Sequence, residues 1–224
     1  MTAELSPEKN NLTIGKVVCV GRNYAAHARE LGNDVPKSPL LFMKPASCVT
    51  YLNQKEVGSI DLPNADKFGD THYEAELCIQ LMRDLKNASY DDAKSAIGAV
   101  TLGLDLTLRE LQSALKAKGQ PWERAKCFDG ACVLGDWVDS AEFGDFKNVN
   151  YQLMINDETV QDGDSSLMLF PVIELISQIS QAFSLQAGDV IMTGTPSGVG
   201  KLTVNDKLIL KLGNHRWQAQ VQSA

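Results

Sequence analysis

Two stretches of the chain alternate strictly between apolar and polar positions. Over 72–81, Tyr73, Ala75, Leu77, Ile79 and Leu81 fall on one side and His72, Glu74, Glu76, Cys78 and Gln80 on the other. Over 100–108, Val100, Leu102, Leu104, Leu106 and Leu108 alternate with Thr101, Gly103, Asp105 and Thr107. A period of two marks a strand with two unlike faces. Short apolar runs predict further strands at 16–20, 40–42, 189–194, 207–212 and 217–221. The stretch 151–161 reads as a hairpin turning at Asn156 and Asp157. Behind Pro171, Val172, Ile173, Leu175, Ile176, Ile179 and Phe183 recur at helical spacing, which predicts a helix over 171–183. Shorter helices are expected at 24–31, capped by Asn23 and stopped by Gly32, at 90–96, and at 108–118 before Gly119. The stretch 46–68 reads as turns. Many short strands and no regular strand–helix–strand alternation predict a β-rich α+β fold rather than a doubly wound sheet.

Composition narrows the class. A chain of 224 residues suits one large domain, here a domain over 14–224 behind an arm over 1–13. Hydrophobic residues at 44% exclude a disordered chain. No run approaches the ~20 apolar residues of a membrane helix. With 21 basic and 28 acidic residues the net charge is -7 and no basic cluster exists, so neither nucleic acid nor an anionic membrane is an expected partner. Cys19, Cys48, Cys78, Cys127 and Cys132 are odd in number and scattered, which predicts free thiols in a reducing compartment. The first residues resemble neither a signal nor a transit peptide, and the cytoplasm is the expected location.

The chemistry is carried by residues that fit their surroundings poorly. Glu74 and Glu76 project from one strand face, where like charges repel unless a cation joins them; the alternative is a solvated face. Asp105 sits among leucines and needs a partner if buried. Three strand-borne carboxylates make a site for a hard divalent cation if they meet. His27 and Glu30, three apart on a helix, make either a dyad in which the carboxylate orients the imidazole or a surface ion pair. Lys126, beside an apolar stretch, can stabilise negative charge or reach solvent. GTPSGVGK at 194–201 lacks the Walker spacing, so a nucleotide-binding module ranks low. A non-enzymatic protein holding a structural ion is an alternative of a different class.

Six blocks span most of the chain in order: VCVGRNYAAHARE at 18–30, LLFMKP at 40–45, HYEAEL at 72–77, LGLDLTLRELQ at 102–112, KGQPWERAKCFDG at 118–130 and DVIMTGTPSGVG at 189–200. As a set they resemble the fumarylacetoacetate hydrolase family, in particular its short single-domain branch. The resemblance implies mixed β-sheets rolled into a sandwich-like barrel with a few short helices, and a homodimer. It implies Glu74, Glu76 and Asp105 as ligands of Mg2+ or Mn2+, with Ca2+ a substitute in crystals. It implies His27 and Glu30 as the dyad that activates water, Lys126 facing substrate, and Arg109, Gln112 and Thr195 contacting it. The activity it implies first is C–C hydrolysis of acylpyruvates such as acetylpyruvate or fumarylpyruvate through a pyruvate enolate. The alternative is decarboxylation or keto–enol tautomerisation of oxaloacetate at the same site; in every case the substrate is a small 2-oxo acid.

Overall fold

The structure is a computed structural model that describes residues 12–30, 32 and 34–223. The arm expected over 1–13 lies, up to position 11, outside the described residues, as does Leu31 at the expected end of the first helix.

Both alternating stretches are strands, and they pair with each other. Ala75–Leu81 and Ile97–Asp105 run antiparallel in the middle of an eight-stranded sheet, with Leu77 opposite Leu102 and Glu76 opposite Gly103. Across that sheet the order is Leu40–Pro45, Lys16–Gly21, Val190–Met192, Ala75–Leu81, Ile97–Asp105, Cys132–Gly135 and Val49–Leu52, and Val138–Asp139 pairs with Ile97–Asp105 off this path. A five-stranded sheet runs Glu158–Asp164, Asn150–Ile155, Lys207–Leu212, His215–Ser223, Val57–Leu62. A small third sheet joins Gly200–Lys201, Thr71–Tyr73 and Thr107–Leu108. Parallel and antiparallel pairs are mixed, and the sheets curl into a half-barrel with few helices. This is the β-rich α+β class that the pattern predicts.

The alternation does not divide core from solvent. Every residue of Ala75–Leu81 and Ile97–Asp105 is buried, so the sheet is covered on both sides. On one side Leu77, Ile79, Leu102 and Leu104 share a core with Leu175 and Ile176 of the Val172–Ala182 helix and with Leu210 and Trp217 of the five-stranded sheet. On the other side Cys78 packs with Cys19, Cys132, Leu134, Val190 and Met192. The more polar face is therefore filled by thiols in its middle and ends in carboxylates.

All five cysteines are free. Burial raises the pKa of Cys19, Cys78 and Cys132 and pushes that of Cys48 up to about 11. Cys127 is half-buried, and its thiol is raised for the same reason. A thiol reagent at pH 8 is therefore expected to label Cys127 first and the other four only on unfolding, as read by mass spectrometry. Rapid labelling of all five in the native protein would contradict this burial.

Three local expectations are corrected. Asn23 does not cap the Ala25–Glu30 helix. It is fully buried; its Oδ1 accepts from Phe170 N at 2.8 Å and its Nδ2 donates to Thr193 O at 2.8 Å. A buried amide with a donor and an acceptor serves better as a tertiary clamp. The stretch 46–68 holds two strands, Val49–Leu52 and Val57–Leu62, each paired in parallel with a segment distant in sequence. Neither predicted central strand is continuous. The first changes sheets at Glu74 and the second at Leu106, where the chain bends from the large sheet into the small one. The expected hairpin is present, and Asn156 and Asp157 both have positive φ, 51° and 69°, as a type I′ turn requires.

Candidate active site

The fold line where both central strands change sheets is where the carboxylates meet. With Ala75 opposite Leu104 and Glu76 opposite Gly103, the antiparallel register sets Asp105 across from Glu74, and Asp105 N donates to Glu74 O at 2.8 Å. Glu74 and Glu76 share a face by their spacing, and the register puts Asp105 on that face too. One carboxylate oxygen from each lies within 4.8 Å of the others, and all three residues are buried.

Their countercharges are unequal. Lys126, on the single-turn helix Glu123–Lys126, reaches Glu74 Oε2 at 2.8 Å and Asp105 Oδ2 at 2.6 Å. Arg109 begins the Arg109–Ala117 helix, pairs with Glu74 through Nη2 and donates from Nη1 to Gln112 Oε1 at 2.9 Å. Burial raises the Glu74 pKa, but Lys126 and Arg109 outweigh it and hold the group well below the usual carboxylate range. Among the described residues, Glu76 has no cationic side chain hydrogen-bonded to it. It accepts from Gly194 N at 2.6 Å, and burial, then Asp105 and Glu74, push its pKa well above the usual value. Gly194 has φ 99°, and a Cβ there would stand 2.7 Å from Asn23 Cβ, so this donor requires glycine.

The sequence reading missed Lys44. It is fully buried, lies 2.9 Å from Asp105 Oδ1, donates to Ala131 O at 3.0 Å and also contacts Lys126 O. Its approach to Asp105 is that of an ion pair without hydrogen-bond direction, and Oδ1 is a buried oxygen with no hydrogen-bond donor. A lysine in the apolar run LLFMKP is the counterpart of an aspartate among leucines, and matching those two oddities would have found the pair.

The remaining candidates, Glu30 excepted, line the cavity that the three carboxylates face. His27 is buried and its Nδ1 lies 3.2 Å from Glu30 Oε2, and among the described residues Nε2 has no hydrogen-bond partner, so it can handle a proton. Glu30 also accepts from Gly198 N at 3.0 Å. The backbone N–H groups of the glycine-rich turn thus bind the protein's own carboxylates, Glu76 at Gly194 and Glu30 at Gly198. Thr195 borders the cavity, but its hydroxyl donates to Ala75 O at 2.9 Å and accepts from Gln161 Nε2 at 2.8 Å. Gln161, also missed from the sequence, further accepts from Ala75 N at 2.8 Å and so ties the turn to the strand between the two glutamates. Arg109, Gln112 and Lys126 line the cavity as well, and its volume is ≈ 50 Å³.

Residues 16–220 match the family described as fumarylacetoacetate (FAA) hydrolase C-terminal. The chain belongs to the fumarylacetoacetate hydrolase family. It is 40% identical over 209 residues to oxaloacetate tautomerase YcgM of Escherichia coli (strain K12), covering 93% of each chain. It is 40% identical over 185 residues to the mitochondrial oxaloacetate decarboxylase of Dictyostelium discoideum, covering 83% of each. Its fold is similar to the crystal structure of fumarylpyruvate hydrolase from Pseudomonas aeruginosa in complex with Mn2+ and pyruvate. The TM-score is 0.90 at 29% identity, covering 100% of this chain and 96% of that one. These members of the fumarylacetoacetate hydrolase family are enzymes.

The carboxylate cluster fits a divalent cation on its own chemistry. Its donors are hard oxygens, which Mg2+, Mn2+ and Ca2+ prefer. Glu76 is a buried carboxylate without a cationic side chain bonded to it, and Asp105 Oδ1 is buried without a donor. A divalent ion would give Glu76 the countercharge it lacks and would add a second positive neighbour to Asp105 Oδ1 beside Lys44.

Proposed function

We propose that this chain is a divalent-metal-dependent enzyme acting on oxaloacetate, interconverting its keto and enol forms, with decarboxylation as a companion reaction. Acylpyruvate hydrolysis, the activity the sequence suggests first, becomes the second reading. The observation that carries the proposal is that His27 and the three carboxylates face one cavity. A proton-transfer base beside a hard-oxygen cation site suits a 2-oxo acid that is enolised. The similarity to the tautomerase and the decarboxylase supports the choice of oxaloacetate. The fumarylpyruvate hydrolase fold keeps hydrolysis in second place.

Glu74, Glu76 and Asp105 would hold the ion, and when bound it would supply Lewis-acid stabilisation of enolate charge on the C2 oxygen. His27 would take a proton from C3 through Nε2 and return it to that oxygen, while Glu30 holds Nδ1 and stabilises the charged ring. Lys126, held between Glu74 and Asp105, would keep a positive charge beside the developing anion. In decarboxylation the C3–C4 bond breaks, CO₂ leaves, and no base is needed for that step. The homodimer implied by the resemblance belongs to the same proposal, and light scattering checks it.

The test is the loss of enol absorbance from oxaloacetate, with and without Mg2+ or Mn2+, beside acetylpyruvate and fumarylpyruvate. Metal-dependent decay faster with oxaloacetate supports the proposal; turnover of the acylpyruvates alone sinks it. His27→Ala is expected to slow tautomerisation by about 10²–10⁴-fold, the usual worth of a positioned base, and to slow CO₂ release much less. Equal losses would remove the dyad from a separate proton-transfer role.

A further inference from the structure

The cations around the cavity are not equally employed. Lys126 and Arg109 are bound to Glu74 and Asp105 or to Glu74 alone. Arg22 and Lys116 also line the cavity, yet neither pairs with an acid among the described residues. Arg109, Gln112 and Lys116 stand at i, i+3 and i+7 on the Arg109–Ala117 helix and so form one stripe along it. Lys116 Nζ lies 6.0 Å from the Trp122 ring centroid. Lys116 is exposed, Arg22 is half-buried, and partial burial together with the charges of Arg22 and Arg109 lowers the Lys116 pKa. Arg22 has φ 61°, a left-handed conformation that arginine seldom adopts. Such residues cluster at ligand clamps, where the surroundings over-determine them. Arg109 Nε is buried with no hydrogen-bond partner. Arg22 and Lys116, on the cavity lining without an acid of their own among the described residues, are available to an anion that a ligand brings.

We infer that Arg22 and Lys116 form the subsite for the second carboxylate of a dicarboxylic 2-oxo acid, so that the cavity selects dicarboxylic over monocarboxylic substrates. The first carboxylate and the keto group go to the end that holds Glu74, Glu76 and Asp105. The inference rests on reading the site as one for 2-oxo acids and names which of them it takes. It also gives Arg22 a reason for its backbone: the left-handed residue after Gly21 turns the chain at the cavity wall.

The test compares oxaloacetate with its neutral-ended amide, 2-oxosuccinamate, in Arg22→Asn, Lys116→Gln and the double variant. Asparagine tolerates a left-handed backbone, so Arg22→Asn removes charge without new strain. Each single variant is expected to raise KM for oxaloacetate about tenfold, the worth of one charge-assisted contact. It should affect kcat much less and leave KM for the amide in place. Arg22→Lys should restore part of the preference. Calorimetric binding of oxalate, which has no distal group beyond its chelating pair, should be retained and reports an intact metal end. Equal losses on oxaloacetate and the amide, or no loss on either, would overturn the inference. If the wild type instead turns over only acylpyruvates, the proposed reaction fails but the subsite remains testable. The same variants must then weaken fumarylpyruvate and spare acetylpyruvate.

Discussion

Replacing Glu76 with glutamine is expected to make the metal-free protein more stable and to abolish its metal-dependent turnover. Glu76 is the member of the carboxylate group that hydrogen-bonds a backbone N–H rather than a lysine or arginine. Glutamine keeps an oxygen for Gly194 N and removes the buried charge. Because the folded pKa is raised above its ordinary value of 4.5, the native state binds the proton more tightly than the unfolded chain. The contribution to stability is thus full below pH 4.5 and is lost as pH climbs through the folded value. Each unit of that rise is worth about 1.4 kcal/mol. Wild-type protein freed of metal should therefore lose more stability than the variant between pH 4.5 and neutrality. Added Mn2+ should raise the Tm of the wild type and leave the variant unmoved. Losing a Lewis acid worth several kcal/mol costs roughly 10²–10⁴-fold in rate. A variant that keeps its turnover, or one less stable than metal-free wild type at pH 7, would remove Glu76 from the metal end.

Lys44→Met is expected to destabilise the fold by about 3–5 kcal/mol, the cost of breaking a buried ion pair from one side. Lys44 is fully buried, and burial alone would lower its pKa; the neighbouring Asp105 outweighs that and raises it. The pair is therefore present below the ordinary lysine value of 10.5 and is lost only as pH rises beyond it. Methionine fills similar space but leaves Asp105 with Lys126 alone. Urea denaturation measures the loss, and a double-mutant cycle with Asp105→Asn assigns it. The double variant should lose clearly less than the sum of the singles. Strict additivity would mean that Lys44 acts through packing and not through Asp105.

The sequence showed the site more clearly than the sheets that hold it. Parity alone set Glu74 and Glu76 on one face, and the leucines around Asp105 announced a buried charge. What parity could not supply was the register between the two strands, which decides that Asp105 stands across from Glu74. Lys44 stayed hidden because a lysine at a strand end ordinarily reaches solvent, whereas here three backbone carbonyls and Asp105 draw it inward. Val49–Leu52 and Val57–Leu62 were read as turns because their stabilising partners, Cys132–Gly135 and His215–Ser223, lie far along the chain. Asn23 was legible as a polar residue before a helix, but its bonds to Phe170 and Thr193 depend on tertiary contact.

The bend at Glu74 and Leu106 ties chemistry to folding. A slip of one residue between Ala75–Leu81 and Ile97–Asp105 would turn Asp105 to the opposite side of the sheet from the two glutamates. A compact but misaligned chain would hold all its strands and no cation. Regain of turnover during refolding therefore times the alignment of these two strands, and it should lag behind the return of secondary structure in any chain that first pairs out of step.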